Sequence, residues 1–279
     1  MSYENFKPTI WSKAIQVAIE QKRSLVDFCN RQFEGEVKLG GKVKILGAVA
    51  PEIYDYDRVN GLQKAKTQPG TVVDLEITEG KAFNIMIDDI DKTQVNGVDL
   101  LSIICEEGAK KMRAKRSVFV SNVANAAAQA ENSLVGLSED LISITTEAKA
   151  IAVIDDAILW LKEHGIEEGR VDCPWWMYQK IKKQLVADKT SNDELVAKGL
   201  IGWYDGFEIV PSIYLQQING FDTVMARSNK AIAFAAALNE TEAYRPEDYF
   251  SDAIKGLDVY GACVSRPEEL YIAKVKKTA

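Results

Sequence analysis

Between Thr71 and Ile87 apolar residues recur at every second position, as Val73, Leu75 and Ile77 and again as Phe83, Ile85 and Ile87. That period predicts two strands, each with one buried face, and Thr78, Glu79, Gly80 and Lys81 between them read as a turn. After Asp88, Asp89, Ile90 and Asp91 the period lengthens. Val98, Leu101, Cys105, Gly108 and Met112 fall three or four residues apart, and Phe119 and Val123 continue the row. No proline interrupts the stretch, so it predicts one helix from about Thr93 to Ala128, roughly 50 Å long at about 1.5 Å per residue. A helix of that length is a beam.

Glu36 to Val49 also alternates, through Val37, Leu39, Val43 and Ile45, with Gly40 and Gly41 at a bulge or bend. Its expected hairpin partner is Thr71 to Thr78. Ala50 to Gly70 then forms a long tip that carries Asp55, Asp57, Arg58, Lys64 and Lys66. A connection of about 20 residues without structure of its own is uncommon inside a compact domain and points to a mobile or partner-binding loop, and so to a projecting arm. Upstream, Ile10, Trp11, Ala14, Ile15, Ala18 and Ile19 follow Pro8 and Thr9 at helical spacing and predict a short amphipathic helix. The pattern is compatible with docking on its own core or on a neighbouring subunit.

Downstream, Glu131 to Glu139 reads as a loop and Leu141 to Thr145 as a short strand. A helix starting near Thr146, with Glu147 in its first turn, runs on Ile151, Ile154, Ile158 and Leu161 and closes at Gly165. Val171 to Cys173 reads as a strand, and Pro174 opens a helix carrying Met177, Ile181 and Leu185 on one face. Ser191 and Glu194 have the spacing of a capping box, with Gly199 ending that helix. Gly206 to Val210 and Ile213 to Ile218 read as strands, and Asn219-Gly220 is a hairpin-turn signal. Leu257 to Val264 and Leu270 to Val275 read as a strand pair about Arg266 and Pro267. Strands at both ends of the chain enclose helices, an α+β arrangement rather than a βαβ series.

Composition narrows the function. Of 279 residues, 47% are hydrophobic and 27% charged, enough for a sizeable core and unlike a disordered chain. Lys and Arg total 34 against 41 Asp and Glu, a formal charge of -7 that gives the chain as a whole no attraction to nucleic acid or an anionic membrane. Cys29, Cys105, Cys173 and Cys263 lack the paired spacing of a zinc site or a redox dithiol, so reduced thiols are expected. The first residues are polar and unlike a signal peptide, and no apolar run approaches the roughly 20 residues that cross a bilayer. Synthesis in the cytoplasm follows as the expectation.

Candidate chemistry is sparse. The single histidine, His164, falls in the last turn of a predicted helix, where it complements the helix dipole. No nucleophile elbow or phosphate-wrapping glycine loop is present. Asp88, Asp89 and Asp91 are the sharpest metal candidates, yet they stand where a strand gives way to a helix, and there capping by Asp89 or Asp91 outweighs metal ligation. Trp175, Trp176 and Tyr178, at a helix start, read as core or interface anchors before a stacking platform. Lys110, Lys111, Arg113, Lys115 and Arg116 form the densest positive run. They read as a solvated face or as partners of acidic neighbours before a phosphate-binding patch. No cofactor or metal is expected.

Several stretches together resemble the major capsid proteins of tailed bacteriophages with the Hong Kong 97-type fold, in the branch whose chains begin with a short N-terminal helix. They are Lys7 to Trp11 (KPTIW), Glu34 to Glu36, Phe83 to Gln94 (FNIMIDDIDKTQ), Gly206 to Tyr214 (GFEIVPSIY), Ala231 to Phe234 and Gly256 to Pro267 (GLDVYGACVSRP). Their order along the chain carries the resemblance. It implies an N-terminal arm over 1–33, an extended loop over 34–87 and a peripheral domain with a spine helix over 88–146. An axial domain over 147–227 and a return to the peripheral domain over 228–279 complete the implied layout.

The implied role is a non-enzymatic structural protein that assembles with itself, as hexamers and pentamers, into an icosahedral head around double-stranded DNA. Synthesis would be in the host cytoplasm and the final location the virion. Arms and long hairpins suit that role because they reach beyond their own core. Trp11, Asp55, Arg58, Lys64, Lys66, Arg113 and Arg116 are the candidate subunit contacts. A separate scaffolding protein and a portal protein are the implied partners, with DNA nearby but not specifically bound and no membrane involved. No motif for a lysine to asparagine crosslink is found around Lys64 and Lys66. The alternatives are an encapsulin-like compartment shell and a metal-dependent hydrolase built on Asp88, Asp89 and Asp91.

Overall fold

The computed structural model describes residues 24–34, 42–47, 58, 71–89, 100–131, 133–138, 140–187 and 202–278. The predicted amphipathic helix near Trp11 and the capping box at Ser191 and Glu194 lie outside the described residues. Strands β1 (Lys42–Gly47) and β2 (Thr71–Glu76) form an antiparallel hairpin, as their alternation predicts. Pairing of Val43 with Leu75 and Ile45 with Val73 puts four apolar side chains on one face and leaves Lys42, Lys44, Asp74 and Glu76 on the other.

Strand β3 (Glu79–Asp88) belongs to a different sheet. It pairs antiparallel with β11 (Ser251–Val264), which pairs on its other side with β10 (Ile232–Tyr244). Only Ile77 and Thr78 separate β2 from β3, so the turn expected through Lys81 is shorter: Glu79 to Lys81 already pair with Tyr260 to Asp258.

The described part of the long helix, α1, runs Leu100–Ala128, 29 residues and roughly 43 Å. Its buried stripe passes through Ala109, Met112, Arg116, Val120, Ala124 and Ala128. Phe119 and Val123, expected on that stripe, are half-buried at its margin, since the helix also buries Ser117, Ser121 and Asn125 as hydrogen-bonding groups.

Two further helices, α2 (Glu147–Glu163) and α3 (Trp175–Ala187), pack on a larger sheet. Its order is β4 (Gly136–Leu137), β12 (Leu270–Lys277), β9 (Asp222–Arg227), β6 (Gly169–Cys173), β8 (Phe207–Pro211), β7 (Gly202–Tyr204), and β5 (Ile142–Ile144) also pairs with β12. Helix α2 begins as predicted, with the Thr146 hydroxyl accepting from the Lys149 amide at 3.3 Å, and ends at Gly165 with φ 80°. Its Ala150, Val153, Ile154, Ala157, Ile158 and Leu161 meet Val171, Phe207, Ile209, Met177 and Ile181 in one core.

Two sequence expectations fail here. Ile213 to Ile218 is not a strand. At its centre the backbone of Gln216 is satisfied from α1 instead, where Ser121 Oγ accepts from the Gln216 amide at 2.8 Å and Asn125 Nδ2 donates to the Gln216 carbonyl at 2.9 Å. The turn after it is as expected: Asn219 and Gly220 have φ 53° and 81°, and Ile218 and Phe221 exchange backbone hydrogen bonds of 3.0 Å. The second failure concerns β11 and β12, which do not pair with each other. A 3₁₀ turn at Pro267–Glu269 carries the chain from one sheet into the other, where Leu270 pairs with Arg227. The short segment Ser24–Asn30 lies between the sheets, with Leu25, Val26 and Cys29 buried against Val120, Ala124, Phe234, Tyr260 and Ile272.

Candidate functional site

The β1–β2 hairpin sits on the body through a small apolar seat. Leu75 and Ile45 pack on Ala233 and Ala235, flanked by Phe33, Val43, Val73, Ile77 and Cys263. At its base the hairpin backbone crosses β11 at Gly261, where a Cβ would fall 2.0 Å from the Glu76 carbonyl oxygen. Only glycine fits such an approach. Arg58, the one described residue between Gly47 and Thr71, is exposed; Asp55, Lys64 and Lys66 lie outside the described residues, as does Trp11.

The positive run on α1 divides. Lys110 pairs with Glu107 at 2.6 Å on the exposed side, and Arg113 is half-buried with its charge acting on Asp27. Arg116 points inward. It is 3% exposed and makes a two-point contact with Asp258, itself 0% exposed, at 2.7 and 2.5 Å, beside the stacked rings of Phe234 and Tyr260. Expected at a subunit contact, Arg116 is instead committed to fixing α1 on β11.

Asp88 ends β3 with its side chain outward, and Asp89 pairs with Arg245 at 2.5 Å while its amide donates to the Phe250 carbonyl at 3.0 Å. Asp91 lies outside the described residues. Among the described residues no three His, Cys, Asp or Glu side chains come together as a metal site. His164 caps α2, its Nδ1 2.8 Å from the Trp160 carbonyl and its ring against Trp160. The aromatic trio splits: Tyr178 is buried, Trp176 donates to Asp222 at 2.8 Å, and Trp175 is half-exposed with its ring edge toward Tyr178.

The group that sequence reasoning missed is Arg170, Asp172 and Arg227, all buried between the larger sheet and the Ser24–Asn30 segment. Arg170 Nε lies 3.0 Å from Asp172 Oδ1, and Arg227 Nη2 lies 3.4 Å from Asp172 Oδ2. Burial pushes the Cys29 thiol up, against the opposing pull of the Arg227 guanidinium beside it. The available signal was opposite charges two apart, Arg170 and Asp172, inside an otherwise apolar strand, which puts them on one face.

No protein-family model and no curated protein sequence matches this chain. Solved structures do. A chain from Mycobacterium phage Che8 matches with a TM-score of 0.73 and 26% identity, over 90% of this chain and 91% of that one. The capsid structure of the cyanophage P-SCSP1u matches with a TM-score of 0.68 and 14% identity, over 92% of this chain and 90% of that one. A virus-like particle from Pyrococcus furiosus matches with a TM-score of 0.60 and 12% identity, over 95% and 98%. A long antiparallel hairpin seated on the body, a long helix and two sheets arranged as described here give this chain the fold of the tailed-bacteriophage capsid proteins.

Proposed function

We propose that this chain is the structural major capsid protein of a tailed bacteriophage and assembles with itself into the icosahedral head that encloses double-stranded DNA. The observation that carries the reading is the match to a phage chain over nine-tenths of both lengths, at 26% identity. The β1–β2 hairpin seated on Ala233 and Ala235 supports it physically, because a long hairpin anchored on the body can carry its connecting segment to a neighbour. In this reading the protein is not an enzyme.

The proposed layout is an arm over 1–33, an extended loop over 34–87, a peripheral domain over 88–146 and 228–279 and an axial domain over 147–227. Trp11, Asp55, Arg58, Lys64, Lys66 and Arg113 contact neighbouring subunits, and Asp89 and Asp91 stand at the start of the spine helix. A separate scaffolding protein and a portal protein are the proposed assembly partners. The test is expression of the chain alone and with the scaffolding candidate encoded beside it, followed by negative-stain microscopy. Closed uniform shells are expected only from the pair. A chain that stays monomeric at high concentration in both cases overturns the reading, and shells that form around a protein cargo would assign it to a cellular compartment instead.

A further inference from the structure

We propose that Arg170, Asp172 and Arg227 form a clasp that fixes the root of the N-terminal arm to the subunit body; its role in assembly rests on the capsid reading above. Arg170 on β6 and Arg227 on β9 are paired directly across the sheet, on the same face. Two like charges in that position repel, and here both are buried. Asp172 supplies one negative charge for the two of them.

The remaining electron-rich groups come from the segment that begins at Ser24. The Leu25 carbonyl accepts from Arg227 Nη2 at 2.6 Å and the Ser24 carbonyl from Arg170 Nη1 at 3.3 Å. Cys29 Sγ accepts from Arg227 Nη1 at 3.2 Å, and the Phe28 ring lies 5.8 Å from the Arg227 guanidinium. The strand pair and the segment therefore stabilise each other: the segment covers the two guanidiniums and supplies the acceptors that one carboxylate cannot.

The same segment is fastened to the other two parts of the body. Ser24 Oγ and Ser117 Oγ of α1 lie 2.9 Å apart. The Asn30 amide donates to the Ile232 carbonyl at 2.8 Å, and the Phe234 amide donates to the Asn30 carbonyl at 2.9 Å, so Asn30 extends the edge of β10. Seven residues thus tie together the long helix, the larger sheet and the three-stranded sheet. Load applied to the chain ahead of Ser24 reaches all three through these hydrogen bonds. A neighbour that pulls on the arm moves the subunit as a body instead of peeling off a strand.

The test compares the full-length chain with Arg170→Lys and Arg227→Lys, which keep the charge beside Asp172 and remove the guanidinium fork. Peptide-level hydrogen exchange is read over 24–34 and, as reference, over β8 and α2, and shell yield is read in co-expression. Exchange over 24–34 is expected to rise roughly tenfold with the reference peptides unchanged, and shell yield to fall. Arg170→Lys is the milder change, since Arg227 still faces Asp172, and it keeps the test readable should Arg227→Lys not fold. Unchanged exchange over 24–34, or an equal rise everywhere, overturns the clasp. Loosened exchange with normal shells overturns its role in assembly. A wild-type chain that forms no shells with its scaffolding partner refutes the capsid reading alone, because the exchange result is independent of it.

Discussion

Arg116 and Tyr260 show how single side chains set the position of the long helix. The Arg116 guanidinium lies within 5.8 Å of the Phe234 and Tyr260 ring centres and meets Asp258 with two hydrogen bonds, so the charge is enclosed on all sides. Arg116→Met leaves Asp258 buried without its counterion and is expected to cost about 3 to 5 kcal/mol of unfolding free energy in denaturant titrations. Replacing both residues with apolar ones is expected to recover most of that loss. The Tyr260 hydroxyl behaves oppositely: it is buried and has no hydrogen-bond partner among the described residues. Its ring packs edge-on to Phe119, with centroids 5.5 Å apart, and against Phe234. Tyr260→Phe keeps those contacts and is expected to raise stability by up to about 1 kcal/mol in the same titration.

At the scale of elements, what is local was legible. The β1–β2 pairing, the cap of α2 at Thr146 and the Asn219-Gly220 turn each depend on residues close in sequence or on a clear alternation. Strand β10 was not, because Ala231 to Ala237 offers no contrast between faces, and its partner β11 lies beyond a connection that periodicity does not describe. Nor was the seat of the hairpin, which depends on Gly261 lying under the carbonyl of Glu76, a residue far earlier in the chain. Gly261→Ala is expected to lift the hairpin base from its seat. Both clashing groups are main chain and cannot rotate aside, so hydrogen exchange in β2 should rise while β6 and β8 stay protected. Equal protection of β2 in wild type and variant would show that the seat tolerates a methyl group.

For the whole molecule, burial of weak acids predicts a loss of stability on the alkaline side. Burial holds Tyr204 and Tyr260 up at about 12, from an ordinary value of 10.0, and Cys263 up at about 11, from 9.0. The unfolded chain releases these protons first, so folded stability is intact below about pH 9 and declines as pH rises through about 9 to 12. Denaturant midpoints measured from neutral to alkaline pH should fall in that window, and Tyr260→Phe should make the fall shallower. A midpoint that stays level through pH 11 would contradict the assignment. By itself the sequence determined the α+β composition, the pairing of β1 with β2, the long helix and, through the order of its short motifs, the capsid resemblance. These rest on near-neighbour periodicity and on residues that favour turns and caps. Only the tertiary structure decided which strands share a sheet, that Arg116 turns inward, and that Arg170, Asp172 and Arg227 meet the Ser24–Asn30 segment. Each of those depends on desolvated charges and close backbone approaches between residues far apart in the chain, and no local pattern encodes them.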